Sequence, residues 1–250
     1  MSETPPDPMR LAQTNMRNPQ IKRFYRQATV GEVEGGFALL LDGRGALTPA
    51  KNRLVVPNPP IAEAIAREWA EQGEFVAPAS MPVTRLANSS IDGVARTLKE
   101  TRAEVARYAG ADLTCYRALE PEALVEDQAK AFDPVLEWAA QALGARFILS
   151  GGLIHVAQPE AALAAVRRAV DAYESPFAVA ALHVMTSLTG SVLLALAGAR
   201  GALSPEAAWR AAHVDEDFQI RKWGEDEEAA IRRAARAREF YAAAEVIASL

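Results

Sequence analysis

Two short stretches of the sequence combine residue types that could do chemistry, and the first is MPVTRLANSSIDGV. Arg85, Asn88 and Asp92 lie three and four positions apart, so a helix would place them along one face. The guanidinium of Arg85 can then bridge neighbouring elements through its several donors. A polar stripe of this kind usually fixes the geometry of a domain. The alternative is an enzyme of unrecognised class, in which the stripe forms a polar pocket with Cys115 and Tyr116.

No nucleophile or phosphate-binding motif accompanies that stripe. The sequence contains neither the GxxxxGK[ST] loop that cradles nucleotide phosphates nor the GxSxG turn of serine hydrolases. A catalytic thiol needs a positioned histidine, and no histidine is near Cys115 in the sequence, so this cysteine is predicted to be buried and structural. His155, His183 and His213 are too far apart to suggest a metal site. The sequence therefore predicts a protein that is not an enzyme, with no catalytic residue, cofactor or metal.

The second stretch, VDEDFQIRKWGEDEEA, places seven acidic residues around two aromatic rings. Carboxylates in the first turn of a helix are favoured by the free peptide N–H groups there, so helix capping explains part of the pattern. Acidic side chains beside aromatic ones also suit a protein-contact patch, because rings anchor a partner and charges steer it. Both explanations stay open from the pattern alone. For a contact patch, the candidate partner-binding residues are Asp215, Glu216, Asp217, Trp223, Glu225 and Asp226.

Composition and charge restrict the remaining classes of function. The chain has 250 residues, of which 50% are hydrophobic, and 32 acidic residues against 27 Lys and Arg give a formal net charge of −5. A nucleic-acid binder needs a basic face, so this class is not favoured. A single cysteine cannot form an internal disulfide, which indicates a reducing compartment. The N-terminus has no secretory signal, and residues 1–21 are predicted to be a flexible, basic leader.

An uncharged apolar run from Phe177 to Ala199 is long enough to cross a bilayer. His183, Thr186 and Thr189 interrupt it and lower its hydrophobicity. We therefore predict a buried central helix and no stable membrane insertion.

Turn residues in the first third of the chain predict a small sheet. The pairs Gly35-Gly36 and Asp42-Gly43 separate β-prone runs between residues 28 and 57. Each pair can supply the positive φ angles of a tight hairpin, so three or four short strands are expected. A sheet of this size is not stable alone and must pack against a helix.

The rest of the chain has a helical period, and prolines mark most of the predicted helix starts. Ile61, Ile65 and Trp69 recur four apart and are assigned to the core. A short helix is predicted after Pro82, and the next helix, capped by Ser90 or Asp92, is predicted to run to about Tyr108. Further helices are predicted over 59–73, 121–143, 159–173, 176–199 and 205–213, with a last helix that ends near Ser249. Residues 147–157 are predicted to be extended.

Together these elements predict an α+β fold. A small β-rich domain of short antiparallel hairpins is expected at 22–58, followed by a larger, mostly α-helical domain at 59–250. Strands and helices do not alternate as they do in a doubly wound sheet.

Six strings of the sequence resemble the ATP synthase assembly chaperone family that binds the free alpha subunit of the F-type ATPase. They occur in order, and the span from the first to the last, residues 22–229, includes most of the predicted fold. The strings are KRFYRQATV, GGFALLLDGRGALTPAKNRLVVP, AREWAEQG, MPVTRLANSSIDGV, DLTCYRA and DEDFQIRKWGEDEEA.

The resemblance implies a chaperone that binds the unassembled alpha subunit and shields its subunit interface until the hexamer forms, without ATP hydrolysis. No typical transit peptide is recognisable, so a bacterial, cytoplasmic member that is a monomer when free is expected. The family's acidic positions in the helical domain are implicated in function. The matching residues here are Glu216, Asp217 and Glu225, with Trp223 as a supporting aromatic residue.

Overall fold

The computed structural model describes residues 21–152 and 154–250. Nearly all of the predicted leader, residues 1–20, lies outside the described residues.

One antiparallel sheet contains the four strands at the start of the described chain. The strands are β1 (Ala28–Val33), β2 (Gly36–Leu41), β3 (Arg44–Gly45) and β4 (Val55–Val56). β1 pairs with one edge of β2, and β3 and β4 pair with the other edge.

Both hairpin turns of the sheet use backbone conformations that favour glycine. Gly35 and Gly36 have φ angles of 91° and 143° between β1 and β2, and Gly43 has a φ angle of 80° between β2 and β3. Asp42 precedes Gly43 with a φ angle of 49°. The hairpins predicted from the two residue pairs are confirmed.

Ten α-helices make up most of the described chain after residue 58, which confirms the predicted α+β fold. Two wider π-helical turns, over Ser90–Val94 and Ala139–Leu143, directly continue the α-helices that end at Ser89 and Trp138. Short 3-10 turns lie at Pro78–Ser80, Tyr108–Ala111 and Leu113–Cys115.

A two-stranded parallel pair joins β5 (Tyr116–Arg117) to β6 (Ser150–Gly151). The helices are α1 (Pro59–Ala70), α2 (Pro82–Ser89), α3 (Leu98–Arg107), α4 (Glu122–Trp138), α5 (Glu160–Asp171), α6 (Pro176–Thr189), α7 (Val192–Ala199), α8 (Pro205–Ala212), α9 (Val214–Trp223) and α10 (Glu227–Ala248).

Helix α1 joins the sheet to the helical part of the chain. Ile61 and Ile65 are buried in the same apolar cluster as Leu39 and Leu54 of the sheet region. Trp69, predicted as a core residue, packs at the margin of this cluster and stays partly exposed. Because α1 contacts both the sheet and α2, the domain division between residues 58 and 59 stays a prediction.

The predicted single helix over 176–199 is wrong, because the apolar run is divided into α6 and α7. Gly190 ends α6 with a φ angle of 67°, a conformation that commonly terminates helices. Ser191 then caps α7, where its Oγ accepts a hydrogen bond from the N–H of Leu194 at 3.0 Å. Both helices are buried as predicted. No helix within the described residues is long and apolar enough to span a membrane.

Ser90 and Asp92 do not cap the next helix, contrary to the prediction. They lie in the π-helical turn that continues α2, and Thr97 precedes α3. Ser90 donates a hydrogen bond to the carbonyl oxygen of Leu86 at 2.8 Å, which satisfies its hydroxyl inside the helix. A helical hydroxyl bonded to the preceding turn cannot cap a following helix.

Two further predictions are corrected by the structure. In the described part of the segment predicted as extended over 147–157, only Ser150–Gly151 forms a strand. The chain after His213 forms two helices instead of one, because Gly224 has a φ angle of 90° and ends α9.

Candidate protein-contact surface

The predicted contact residues lie on the helical hairpin formed by α9 and α10. Asp215, Glu216 and Asp217 occupy the first turn of α9, where the helix N-terminus favours negative charge. Asp226 caps α10, since its Oδ1 accepts a hydrogen bond from the N–H of Ala229 at 2.7 Å. Helix capping therefore explains part of the acidic pattern.

The acidic residues that begin α9 also hold the two helices of the hairpin together. Arg233 of α10 forms an ion pair with Asp217, Nη2 to Oδ1, at 2.5 Å, and its Nε lies 3.8 Å from Oε2 of Glu216. The side chain of Arg233 is only 19% exposed, so this pairing is partly shielded from solvent. Asp215 accepts a hydrogen bond from the buried amide of Gln128 in α4 at 2.7 Å. All three acidic residues thus have structural partners.

The end of the hairpin, in contrast, is open to solvent. Trp223 is 72% exposed, and Glu225 and Asp226 on the connecting turn are exposed as well. Lys222 lies with its Nζ 5.5 Å from the centre of the Trp223 ring. The lining of a shallow cleft of about 250 Å³ includes Trp223, Glu225, Asp226 and Glu216. The structure thus brings four of the six predicted residues together, in an arrangement of an aromatic ring with carboxylates that suits a protein contact.

Asp217 lines a second cleft, of about 430 Å³, between the hairpin, α4 and α8. Arg221 of α9 pairs there with Asp127 of α4, and Lys130 and Arg210 contribute further positive charge. The position of Asp217 in this cleft, together with its pairing to Arg233, separates it from the exposed hairpin end.

The alternative polar pocket predicted around Arg85 is not formed as predicted. Arg85 and Asp92 line an open groove of about 650 Å³ with His183 and Glu239, but Asn88, Cys115 and Tyr116 do not line it. Arg85 pairs with Glu239 of α10 at 2.8 Å.

Asp92 instead ties the π-helical turn to the loop before β4. Its Oδ1 accepts hydrogen bonds from Thr48 Oγ1 and Asn52 Nδ2, both at 2.7 Å, and its Oδ2 accepts one from the N–H of Ala50 at 3.1 Å. These hydrogen bonds hold the pKa of Asp92 below its ordinary value. The polar stripe therefore fixes geometry between the sheet and the helices.

Cys115 is a buried side chain in the 3-10 turn before β5. Burial, with a smaller contribution from the charge of Asp112, raises the pKa of its thiol to about 12. A thiol that stays protonated is a poor nucleophile. Within the described residues there is also no group of three or more His, Cys, Asp or Glu side chains that could hold a metal ion.

Comparison with known proteins identifies the family. The family model described as ATP12 chaperone protein matches residues 22–140. A crystal structure of a candidate chaperone from Agrobacterium tumefaciens is similar with 50% sequence identity and a TM-score of 0.88, covering 97% of this chain and 91% of that one. The crystal structure of Atp12 from Paracoccus denitrificans has 39% identity and a TM-score of 0.83, covering 91% of this chain and 97% of its own. This chain belongs to the ATP12 chaperone family.

A curated relative extends the likeness to a eukaryote. The mitochondrial protein atp12 of Schizosaccharomyces pombe is 24% identical over 231 residues, which are 87% of this chain and 79% of that protein. The resemblance to an ATP synthase assembly chaperone, inferred from six strings, is thereby confirmed.

One residue that organises this ATP12 chaperone was missed by the sequence reasoning. Asp112 is completely buried and accepts hydrogen bonds from Ser191 Oγ at 2.7 Å, the N–H of Leu193 at 3.1 Å, and both Oγ1 and N–H of Thr114 at 2.8 and 3.1 Å. It connects the segment before β5 to the break between α6 and α7. Burial raises the pKa of this carboxyl group.

A second acid, which is partly buried, has a similar role in this ATP12 chaperone. Glu68 of α1 accepts hydrogen bonds from the N–H groups of Val83 and Thr84 at 2.7 and 2.8 Å, and from Thr84 Oγ1 at 2.6 Å. The first turn of α2 is thereby capped by a residue from another helix. The sequence signal for Asp112 was a short polar residue just before a turn, whereas Glu68 lies in the last turn of α1, where no local pattern marks it as a cap for another helix.

Proposed function

We propose that this ATP12 chaperone binds the unassembled alpha subunit of the F-type ATP synthase and shields its subunit interface until the hexamer forms, without hydrolysing ATP. Subunit interfaces of permanent complexes are more apolar than ordinary surface and aggregate when they are exposed. A chaperone that covers such a surface lowers the concentration of the aggregating species. The correct neighbouring subunit, with a larger interface, then displaces the chaperone by mass action.

The observation that carries this proposal is the exposed end of the α9–α10 hairpin. Trp223 is 72% exposed. Tryptophan is among the residues that contribute most to binding energy in protein interfaces, so an exposed one is a candidate anchor for a partner. Within the described part of the chain, Glu225 beside it makes no hydrogen bond or ion pair, so its carboxylate is free to attract a basic partner. The family membership independently supports a role in ATP synthase assembly.

A light-scattering assay with purified alpha subunit tests the proposal. Trp223→Ala combined with Glu225→Lys should reduce the ability of the chaperone to suppress aggregation, while its melting temperature stays unchanged. Phe24→Ala combined with Glu71→Lys is a matched control, because it also removes an exposed ring and reverses an exposed charge. If the hairpin variant protects the alpha subunit as well as the wild-type protein does, the hairpin end is not the contact.

We further propose that the free protein is a cytoplasmic monomer, with a β-rich domain at 22–58 and a helical domain at 59–250. These proposals rest on the resemblance to the family and on the change from β-prone to helical sequence at Pro59. Sedimentation velocity of the purified protein should show one species with the mass of a single chain.

A further inference from the structure

Helix α9 lies outside the apolar cluster that contains Ile61 and Leu39. All of its residues belong to the described chain, and none of them is buried. Val214, Phe218 and Ile220 are partly buried, but they neither belong to the apolar cluster nor pack against it. In the described chain, each of the other nine helices contributes residues to this cluster. Because helices in proteins are stabilised mainly by packing an apolar face, α9 must depend on other contacts.

Polar contacts at the surface hold α9 in place. Asp215 accepts a hydrogen bond from Gln128 of α4 at 2.7 Å, and Arg221 forms an ion pair with Asp127 of the same helix. Arg233 of α10 adds a third contact, its ion pair with the first turn of α9. The side chains of Arg221 and Asp127 are 58% and 30% exposed, so water can replace this pair at little cost. Releasing α9 from α4 therefore costs much less free energy than unfolding the core.

The two ends of α9 are tied, whereas the helix itself can unwind. His213 before it is buried, and its ring stacks on Trp209 with the ring centroids 3.9 Å apart. Gly224 after it, with a φ angle of 90°, leads into α10, whose second half belongs to the apolar cluster. A segment tied at both ends cannot swing out as a rigid body. Unwinding, however, lengthens ten residues from about 15 Å to at most about 33 Å, which leaves the segment slack.

An apolar cleft becomes more accessible when α9 unwinds. The cleft of about 430 Å³ lies between α4, α8 and α9, and α9 forms one of its walls. Its apolar lining includes Ala131 and Pro134 of α4 and Ala207 and Ala211 of α8. With α9 slack, these side chains face solvent, and exposed apolar surface of this kind suits contact with another protein.

We propose that α9 is a strap that unwinds reversibly between His213 and Gly224, and that the alpha subunit is captured by the open form, in which it contacts the apolar lining of the cleft. The capture step rests on the proposed function. Trp223, at the exposed hairpin end, is the last residue of α9, so a client bound there holds one end of the strap. A client that binds only the open form shifts the population toward it.

Hydrogen exchange of the free chaperone, measured by mass spectrometry on the full chain, tests the strap. Amides of α9 should exchange roughly a hundredfold faster than those of α7 and α8. Gln219→Gly, at an exposed position of α9, should accelerate exchange in α9 by about a further two- to threefold. Arg167→Gly is the matched control at an exposed position of α5. It should leave exchange in α9 unchanged, because α5 stays folded when the strap opens.

Binding of purified bacterial alpha subunit tests the capture step. Asp127→Cys combined with Arg221→Cys, joined by a short bismaleimide, fastens α9 to α4. Cys115 is buried and does not compete for the reagent in the folded protein. The cross-linked chaperone should bind the alpha subunit about tenfold more weakly than the same variant without cross-linker, because the open form is no longer accessible. The variant without cross-linker is the matched control, since it carries both substitutions and keeps a free strap.

Each result either supports or overturns the inference. Fast local exchange in α9 together with weakened binding after cross-linking supports it. If α9 exchanges as slowly as α8, or if Arg167→Gly accelerates exchange in α9 as much as Gln219→Gly does, α9 opens only with the core and the inference is overturned. If the variant binds equally well with and without cross-linker, the closed form captures the client, and only the inference fails. If the wild-type chaperone does not bind the alpha subunit, the proposed function fails together with the inference.

Discussion

Replacing Asp112 should strongly destabilise the fold, because four donors converge on this fully buried carboxylate. In Asp112→Ala the hydroxyls of Ser191 and Thr114 can turn to other acceptors, whereas the backbone N–H groups of Thr114 and Leu193 cannot. Each unsatisfied buried donor costs about 1–3 kcal/mol. The substitution also removes the unfavourable desolvation of a buried charge, which offsets part of this cost. We therefore expect the free energy of unfolding to fall by roughly 2–4 kcal/mol.

Urea unfolding followed by circular dichroism measures this loss. The midpoint should fall while the slope against urea stays unchanged, as expected when stability alone is altered. Asp42→Ala is the control, because its carboxylate also accepts backbone hydrogen bonds, from Arg26 and Gln27, but is exposed. A loss below about 0.5 kcal/mol in Asp112→Ala, within the range of ordinary surface substitutions, would refute the assigned role of this carboxylate.

The pH dependence of the same site gives a second measurement. Burial raises the pKa of Asp112 in the folded protein above 3.8, so the folded state keeps a proton that the unfolded chain releases. The stability gained from that proton is complete below the unfolded pKa and is lost as pH rises through the folded pKa. The free energy of unfolding of the wild-type protein should therefore fall relative to Asp112→Asn as pH increases from about 4. A difference between the two proteins that does not vary with pH would contradict this.

Two further predictions concern Cys115 and the α9–α10 hairpin. With its thiol buried and the pKa raised to about 12, Cys115 should react with iodoacetamide at neutral pH only after unfolding in urea, and rapid labelling of the native protein would show that it is accessible. A double-mutant cycle with Asp217→Asn and Arg233→Met should give a coupling energy of about 1–2 kcal/mol, since the pair is partly buried. The exposed pair of Glu228 and Arg232 should give less than about 0.5 kcal/mol. Equal coupling energies in the two pairs would mean that partial burial does not strengthen the pair of Asp217 and Arg233.

Local chemistry made the sheet and most helix starts predictable. Gly35-Gly36 and Asp42-Gly43 lie where the chain must adopt positive φ angles, and this requirement can be read from two residues. The same kind of signal was available at Gly190, but the apolar residues on both sides of it favoured one continuous helix. The break became evident only because Ser191 caps a new helix and bonds to Asp112.

The candidate site, too, could be predicted only in part from the local sequence. The acidic and aromatic pattern located the hairpin, but not the partners of its acids, because Gln128 and Arg233 come from other helices. The exposure of Ile148, Leu149 and Ile154 could not be predicted, since a run predicted as extended does not reveal which side chains face solvent. Contacts between residues distant in sequence depend on the packing of whole elements, and no local pattern encodes them.

The central claim is that the chaperone acts by covering the alpha subunit, and the formation of a complex tests it most directly. Purified chaperone and purified alpha subunit, mixed without beta subunit, should elute together in size-exclusion chromatography with light-scattering detection as one species containing both chains. Addition of beta subunit should release free chaperone without ATP hydrolysis. Separate elution of the two chains, or release that requires ATP hydrolysis, would contradict the proposed mechanism.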